Sequence, residues 1–206
     1  MRIYLLFTLA SAIAATGLAA QSETTMNADP ASGLPYYQIP DYPETYTAEN
    51  VAARMIDGLG FRYYWATEGL REEDLAFRPG EDARATVETL EHILGLSTLI
   101  LNAVYGRANE RPAERPALSF EQMRKATLEN LKMASDRLKG SPEGALAGFS
   151  IVFKRGEETS EFPFWNLING PVADALWHVG QVVSFRRSSG NPINPKASVF
   201  SGRLVE

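Results

Sequence analysis

The chain has no cysteine among its 206 residues and only two histidines, His92 and His178. The first absence removes disulfides, thiolate metal sites, a lipid-bearing cysteine anchor and a cysteine nucleophile together. Positive charge is scarce too: 20 lysines and arginines stand against 25 aspartates and glutamates, a net charge of −5 with no basic stripe. A nucleic-acid partner, which needs a dense cationic surface, is therefore not expected. Also missing are the G-x-S-x-G elbow, the H-E-x-x-H helix, the phosphate-binding P-loop and the EF-hand loop. Gly58-Leu59-Gly60 lacks a third glycine and a preceding strand, and reads as part of a helix. A Ser-His-Asp triad stays open on residue counts, although no serine is specially placed.

What is present suits one globular domain, with 45% hydrophobic and 22% charged residues and enough length for one well-buried core. The first residues read differently. Met1-Arg2 gives a short basic start, residues 3–18 form a largely apolar run, and the small residues Gly17, Ala19 and Ala20 follow. This is the pattern of a secretory leader over 1–20, cleaved after Ala19 or Ala20, with an uncleaved anchor as the alternative. Loss of Arg2 makes the mature chain one unit more negative. The expected destination is the periplasm or the extracellular space, with no stable membrane insertion after cleavage, since no later stretch is expected to span a bilayer. Residues 21–46 form a Pro/Tyr-rich extension, including Pro35-Tyr36-Tyr37 and Tyr42-Pro43, in which regular helix is disfavoured. Its tyrosines are free to pack across the domain.

Four helical segments follow. Thr47 caps the first, which runs to about Gly69 with Val51, Met55, Leu59 and Tyr63 at four-residue spacing. Thr86 is the expected cap of the second, which carries Leu90, Ile93, Leu96, Leu99 and Ala103 to Tyr105-Gly106. Ser119-Phe120-Glu121-Gln122 is a capping box opening the third, which ends near Lys139-Gly140. The fourth starts near Gly170-Pro171 and stops at Ser188 to Pro192. Between the last two, the apolar-rich runs 149–153 and 159–164 flank Gly156 like a short hairpin, with Pro163 limiting its second arm. The expected fold class is all-α: a four-helix bundle over 47–190 with one long crossover carrying the hairpin-like segment, then a tail over 191–206.

Both histidines fall in strongly apolar helices. His92 shares its stripe with Leu96, Leu99 and Ala103 and is expected to point inward. Asp174 and His178 lie one helical turn apart, their β-carbons about 5 to 6 Å from each other. Burying such groups unpaired costs roughly 2 to 7 kcal/mol each. A divalent cation satisfies all three at once, because two imidazoles and a carboxylate supply three lone-pair donors and leave a position for water or substrate. It offsets the desolvation of the aspartate, lowers the pKa of a bound water and polarises a substrate oxygen. The alternative is a hydrogen-bonded cluster without metal, in which Asp174 and His178 form an intrahelical pair.

A family resemblance bears on that choice. The run Leu70-Arg71-Glu72-Glu73-Asp74-Leu75-Ala76-Phe77-Arg78-Pro79, followed by Ala85-Thr86-Val87-Glu88-Thr89-Leu90-Glu91-His92-Ile93, resembles the approach to the second helix of DinB-like proteins. Trp177-His178-Val179-Gly180-Gln181, with Arg186, Arg187 and Gly190 after it, resembles that family's fourth helix. The resemblance covers about residues 48–192. It implies a four-helix bundle in which one histidine of the second helix and a His-x-x-x-His pair of the fourth hold a metal. Here Asp174 stands where the first member of that pair is a histidine, which makes the implied set His92, Asp174 and His178. Zinc, nickel, iron and manganese all suit these donors.

Neighbouring residues take expected roles. Glu88, one turn before His92, is a candidate general base or orienting group, with dipole complementation at the helix start as its other reading. Tyr63, Asn166, Asn169, Trp177 and Arg186 are candidates for a substrate pocket, and Arg187 joins Arg186 as a contact for an anionic substrate. Two functions remain in view: an exported metal-dependent hydrolase or transferase acting on a small molecule, and a ligand- or partner-binding module with a metal-free His/Asp cluster. A homodimer is compatible with either.

Overall fold

The structure is a computed structural model, and it describes residues 27–110 and 117–206. The leader expected over 1–20 lies outside the described residues, as does the start of the extension. Six helical segments and five strands follow in the order α1 (Ala48–Thr67), α2 (Glu72–Ala76), α3 (Thr86–Val104), β1 (Ala108–Glu110), α4 (Phe120–Lys139), β2 (Ser150–Arg155), β3 (Glu158–Pro163), α5 (Phe164–Leu167), α6 (Ala173–Ser188), β4 (Ala197–Ser198) and β5 (Arg203–Leu204). A 3₁₀ turn, Ala145–Gly148, precedes β2, and a π turn, Ile168–Val172, joins α5 to α6.

Three of the four long helices start where side chains can satisfy free N–H groups, while α6 continues from the π turn with no side-chain cap. Thr47 Oγ1 accepts from the Asn50 N–H at 3.2 Å. In α4 the capping box closes both ways: Ser119 Oγ accepts from Gln122 N–H at 3.3 Å, and Gln122 Oε1 accepts from Ser119 N–H at 2.8 Å. Helix α3 corrects one expectation. Thr86 is its first helical residue and Ala85 its cap, with the Glu88 carboxylate accepting the Ala85 N–H at 2.7 Å.

Helices α1 and α3 each pack on both α4 and α6, and the core fills the space between them with Ile56, Leu59, Ile93, Ile100, Leu128, Leu131 and Val182. Each such side chain contributes about 1.5 to 3 kcal/mol through burial. The expected stripe of α1 is only half right: Leu59 and Tyr63 are fully buried, whereas Val51 and Met55 are 47% and 40% exposed. A four-residue step turns about 400°, so a row at that spacing drifts about 40° per step and passes from solvent to core. Helix α3 also departs from expectation, since its length and mean hydropathy of 1.2 suffice for a membrane span. Half of it is buried among its neighbours, as befits a core helix.

The extension closes over α1. Tyr36, at φ 72°, inserts its ring against Gly60 and donates its hydroxyl to Asp57 Oδ1 at 3.1 Å. A β-carbon on Gly60 would come within 2.4 Å of that ring, so glycine is required at this point of the helix. Tyr37 stacks edge-on to Tyr64 and tilts over Trp65.

The all-α expectation is overturned by the sheets. Strands β2 and β3 form an antiparallel hairpin in the register Arg155↔Glu158 to Ser150↔Pro163, turning at Gly156 with φ 61°. Strand β1 then joins β2 in parallel, Ala108 opposite Val152, making a three-stranded mixed sheet. Asn109 secures it, donating from Nδ2 to the Val152 carbonyl at 3.0 Å and accepting from Asn102 of α3 at 2.8 Å. The tail forms a second, two-stranded sheet, β4 with β5. The molecule is thus a mixed α/β chain. Pro163 is accommodated because it ends β3 and caps α5. The fourth helix differs as well: its helical path begins at Phe164, six residues before the expected start, and Pro171 lies inside the π turn, with Gly170 pulled out of the helical well at φ −94°, ψ −105°.

Candidate metal centre

Pro171 has no N–H to offer and its ring crowds the preceding turn, which breaks the regular ladder and admits the wider π turn. One inserted residue rotates everything after it by about 100° around the helix axis. The π turn packs directly on α3, and α6 leaves it with Asp174 and His178 on the side of His92.

The three side chains meet there. His92 Nε2 lies 3.2 Å from Asp174 Oδ2, and His178 Nε2 lies 3.3 Å from Asp174 Oδ1. The two imidazole rings stand perpendicular with centroids 4.6 Å apart. One donor atom from each residue falls within 4.8 Å of the others, so the group can hold a metal ion. Bonds of about 2.1 Å to a tetrahedral cation place neighbouring ligand atoms about 3.4 Å apart. The contacts to Asp174 are near that spacing.

The hydrogen-bond chemistry supports the fit. Gln181 Oε1 lies 2.7 Å from His178 Nδ1. With this oxygen as acceptor, Nδ1 carries the hydrogen, and a neutral imidazole then aims its Nε2 lone pair at a carboxylate oxygen. Two acceptors facing each other at this distance repel. Either a second proton on His178 or a cation among the three groups removes the conflict. A ligating imidazole held from behind by a hydrogen-bond acceptor is the usual arrangement at metal centres. Gln181 is a candidate positioning residue that the site reading missed, although its i, i+3 spacing from His178 was available in the sequence.

The cluster sits at the rim of the helices rather than inside them. The side chains of His92, Asp174 and His178 are 35%, 40% and 16% exposed, which corrects the expectation that His92 points inward. The buried ridge of α3 runs through Leu90, Ile93 and Ile100. His92 is one residue away from Ile93, about 100° around the helix, and lands at the boundary. Partial exposure lowers the desolvation cost of Asp174 and leaves a path for water or a small molecule.

The other expected site residues are placed elsewhere. Glu88 Oε2 accepts from Ala85 N–H and, at 2.9 Å, from Arg78 Nη2. The Ala85 N–H, reinforced by Arg78 and opposed by slight desolvation, holds its carboxyl below the ordinary range, which suits a cap better than a base. Tyr63 is fully buried, its hydroxyl near that of Thr127 but without a well-formed hydrogen bond, and burial pushes its pKa up to about 12. Asn166 and Asn169 are exposed, and Trp177 is 71% exposed. Among the described residues, no hydrogen bond or ring contact joins any of these to the cluster.

Arg186 does not face a substrate. It is 3% exposed, and its Nη1 donates to the carbonyls of Trp65, Ala66 and Glu68 at 3.2, 3.0 and 2.9 Å, while Nε donates to the Asn191 carbonyl at 2.6 Å. The residue ties off carbonyls at the end of α1 that have no helical partner. Burial lowers its pKa, with Asp74 and Glu68 opposing. Arg187, by contrast, is exposed. Compared with family models and with curated proteins, the chain gives no match.

Proposed function

We propose that the chain is a DinB-like metalloprotein in which His92, Asp174 and His178 hold a divalent cation, and that the centre serves metal-dependent hydrolysis of a small molecule. The observation that carries this reading is the convergence of His92, Asp174 and His178 on one point, with Gln181 behind His178, at a rim open to solvent. A bound cation supplies Lewis acidity to a water or a substrate oxygen. The chain's own contribution is to fix three donors on two helices, hold the His178 tautomer through Gln181 and leave one side open. The Trp177-His178-Val179-Gly180-Gln181 motif supports the family reading. Transfer to a small thiol is the related reaction, and it fits an exported chain less well, because such thiols are chiefly available inside cells. Export itself rests on the leader-like residues 1–20 and belongs to the proposal.

The second reading is a binding module in which His178 carries both ring hydrogens, one toward Gln181 and one toward Asp174, and no metal is needed. Elemental analysis of the purified protein separates the two. The first reading expects about one equivalent of zinc, nickel, iron or manganese per chain, lost in His92→Ala and in His178→Ala. A parent protein that takes up none of the four in titration sinks it. Chelator-sensitive hydrolysis of a panel of amides, esters and lactones, restored by the same metal, then tests the reaction class.

A further inference from the structure

The opposite face of α6 borders a concavity. Counting about 100° per residue from Asp174, His178 and Gln181 fall within about 40° of it, whereas Leu176, Val183 and Arg187 fall near 200°. The face away from the metal cluster lines a groove of about 800 Å³, whose other walls are α1 and the tail before and within β4. That volume is within the range of small-molecule sites, about 300 to 1,000 Å³.

Its lining has a definite chemistry. Trp65, Leu176, Val183, Ile193 and Val199 make it largely apolar. The charged residues in it are two arginines, Arg62 from α1 and Arg187 from α6, and the lining contains no carboxylate. Arg62 spends Nη1 on the Gly58 carbonyl at 3.0 Å and has no acidic partner among the described residues. Arg187 makes no ion pair or hydrogen bond among the described residues. On a chain with net charge −5 this is a local reversal of sign inside an apolar cleft. Gly180 keeps the floor open: a β-carbon built there meets nothing within 4 Å.

We propose that this groove binds an aliphatic carboxylate of medium chain length, its tail along Leu176, Val183 and Ile193 and its head group on the guanidinium groups of Arg62 and Arg187. Apolar walls account for the tail, and the planar fork of a guanidinium matches a carboxylate. The groove does not share residues with the metal cluster and acts independently of it.

Calorimetric titration of the purified protein with decanoate, acetate and decyltrimethylammonium tests the assignment. Decanoate is expected to saturate one site, with acetate and the cationic amphiphile at least about tenfold weaker. Gly180→Leu fills the groove and abolishes decanoate binding while the thermal midpoint holds. Arg187→Gln, which touches no packing, weakens it about tenfold. Prior chelation of metal leaves the affinity unchanged, so failure here and failure of the metal reading are distinguishable. Equal binding of the cationic amphiphile overturns the proposal, as does decanoate affinity unaffected by both substitutions. A concentration-dependent dimer that Gly180→Leu splits also overturns it, by assigning the groove to a second copy of the chain.

Discussion

Helix α6 carries a polar cluster at each end, and the two are built on opposite principles. At its C-terminal end, Asp74 is completely buried, yet it is fully answered. Arg71 forks onto both carboxylate oxygens at 2.9 Å, Ser189 Oγ donates at 2.5 Å and Asn191 Nδ2 donates at 2.6 Å, with Arg186 alongside on the α1 carbonyls. Every charge there has an opposite charge or a hydrogen-bond partner. At its N-terminal end, His92, Asp174 and His178 bring two imidazoles and a carboxylate together, partly exposed, with no other cation beside them among the described residues. A satisfied network fastens α2 to the end of α6, whereas the His/Asp cluster has capacity left over for a cation.

Breaking the satisfied end should cost the most stability. Arg186→Ala leaves the carbonyls of Trp65, Ala66, Glu68 and Asn191 short of a donor, and the loss is expected at about 3 to 5 kcal/mol by chemical denaturation. Metal content per folded chain should stay unchanged, and a simultaneous loss of both would show that the two ends are not separable. A smaller effect is expected at the open end from Gln181→Leu, which removes the acceptor behind His178 without touching a ligand. Metal affinity should fall about 10- to 100-fold, while unfolding of the metal-free protein is barely altered.

The closed end also sets an acid limit. Arg71, helped by Ser189 and Asn191 and opposed by burial, holds the Asp74 carboxyl far below the ordinary range. Its folded-state pKa is therefore below the unfolded one, and the unfolded chain takes up the proton first. The stabilisation is complete above about pH 4 and fades as pH falls further. Asp74→Asn should remove about one proton from the folding-linked uptake in that range, read as a shallower acid-unfolding slope. The smallest change is expected of Glu88→Gln. The amide can still accept the Ala85 N–H, so metal content and any turnover should stay within about twofold of the parent. A loss of activity with metal retained would return Glu88 to the reaction.

Much of the helical framework was legible because caps and apolar periodicity are local. Thr47 and the Ser119–Gln122 box could be read from adjacent residues, and both form as read. The three candidate ligands could be named from their rarity, since the chain has only two histidines and one of them has an aspartate a turn before it. The sheet was less legible. Strand β1 is three residues long, Ala108–Glu110, too short for an alternation signal, and it is held by Asn109 reaching elements on both sides. Arg186 was misread for a related reason: a buried arginine and a substrate-binding one look alike until the carbonyls of α1 are found around it.

The sequence by itself determined where the long helices start, that thiol chemistry is excluded and which side chains can ligate a metal, because each follows from residue identity or from neighbours a few positions away. Tertiary structure alone decided that α5, the π turn and α6 form one broken path aiming Asp174 and His178 at His92, that the meeting point is a rim rather than the core, and that the far face of α6 shares a groove with the tail. These depend on the rotational phase of one helix against another, and a single inserted residue changes that phase by about 100°.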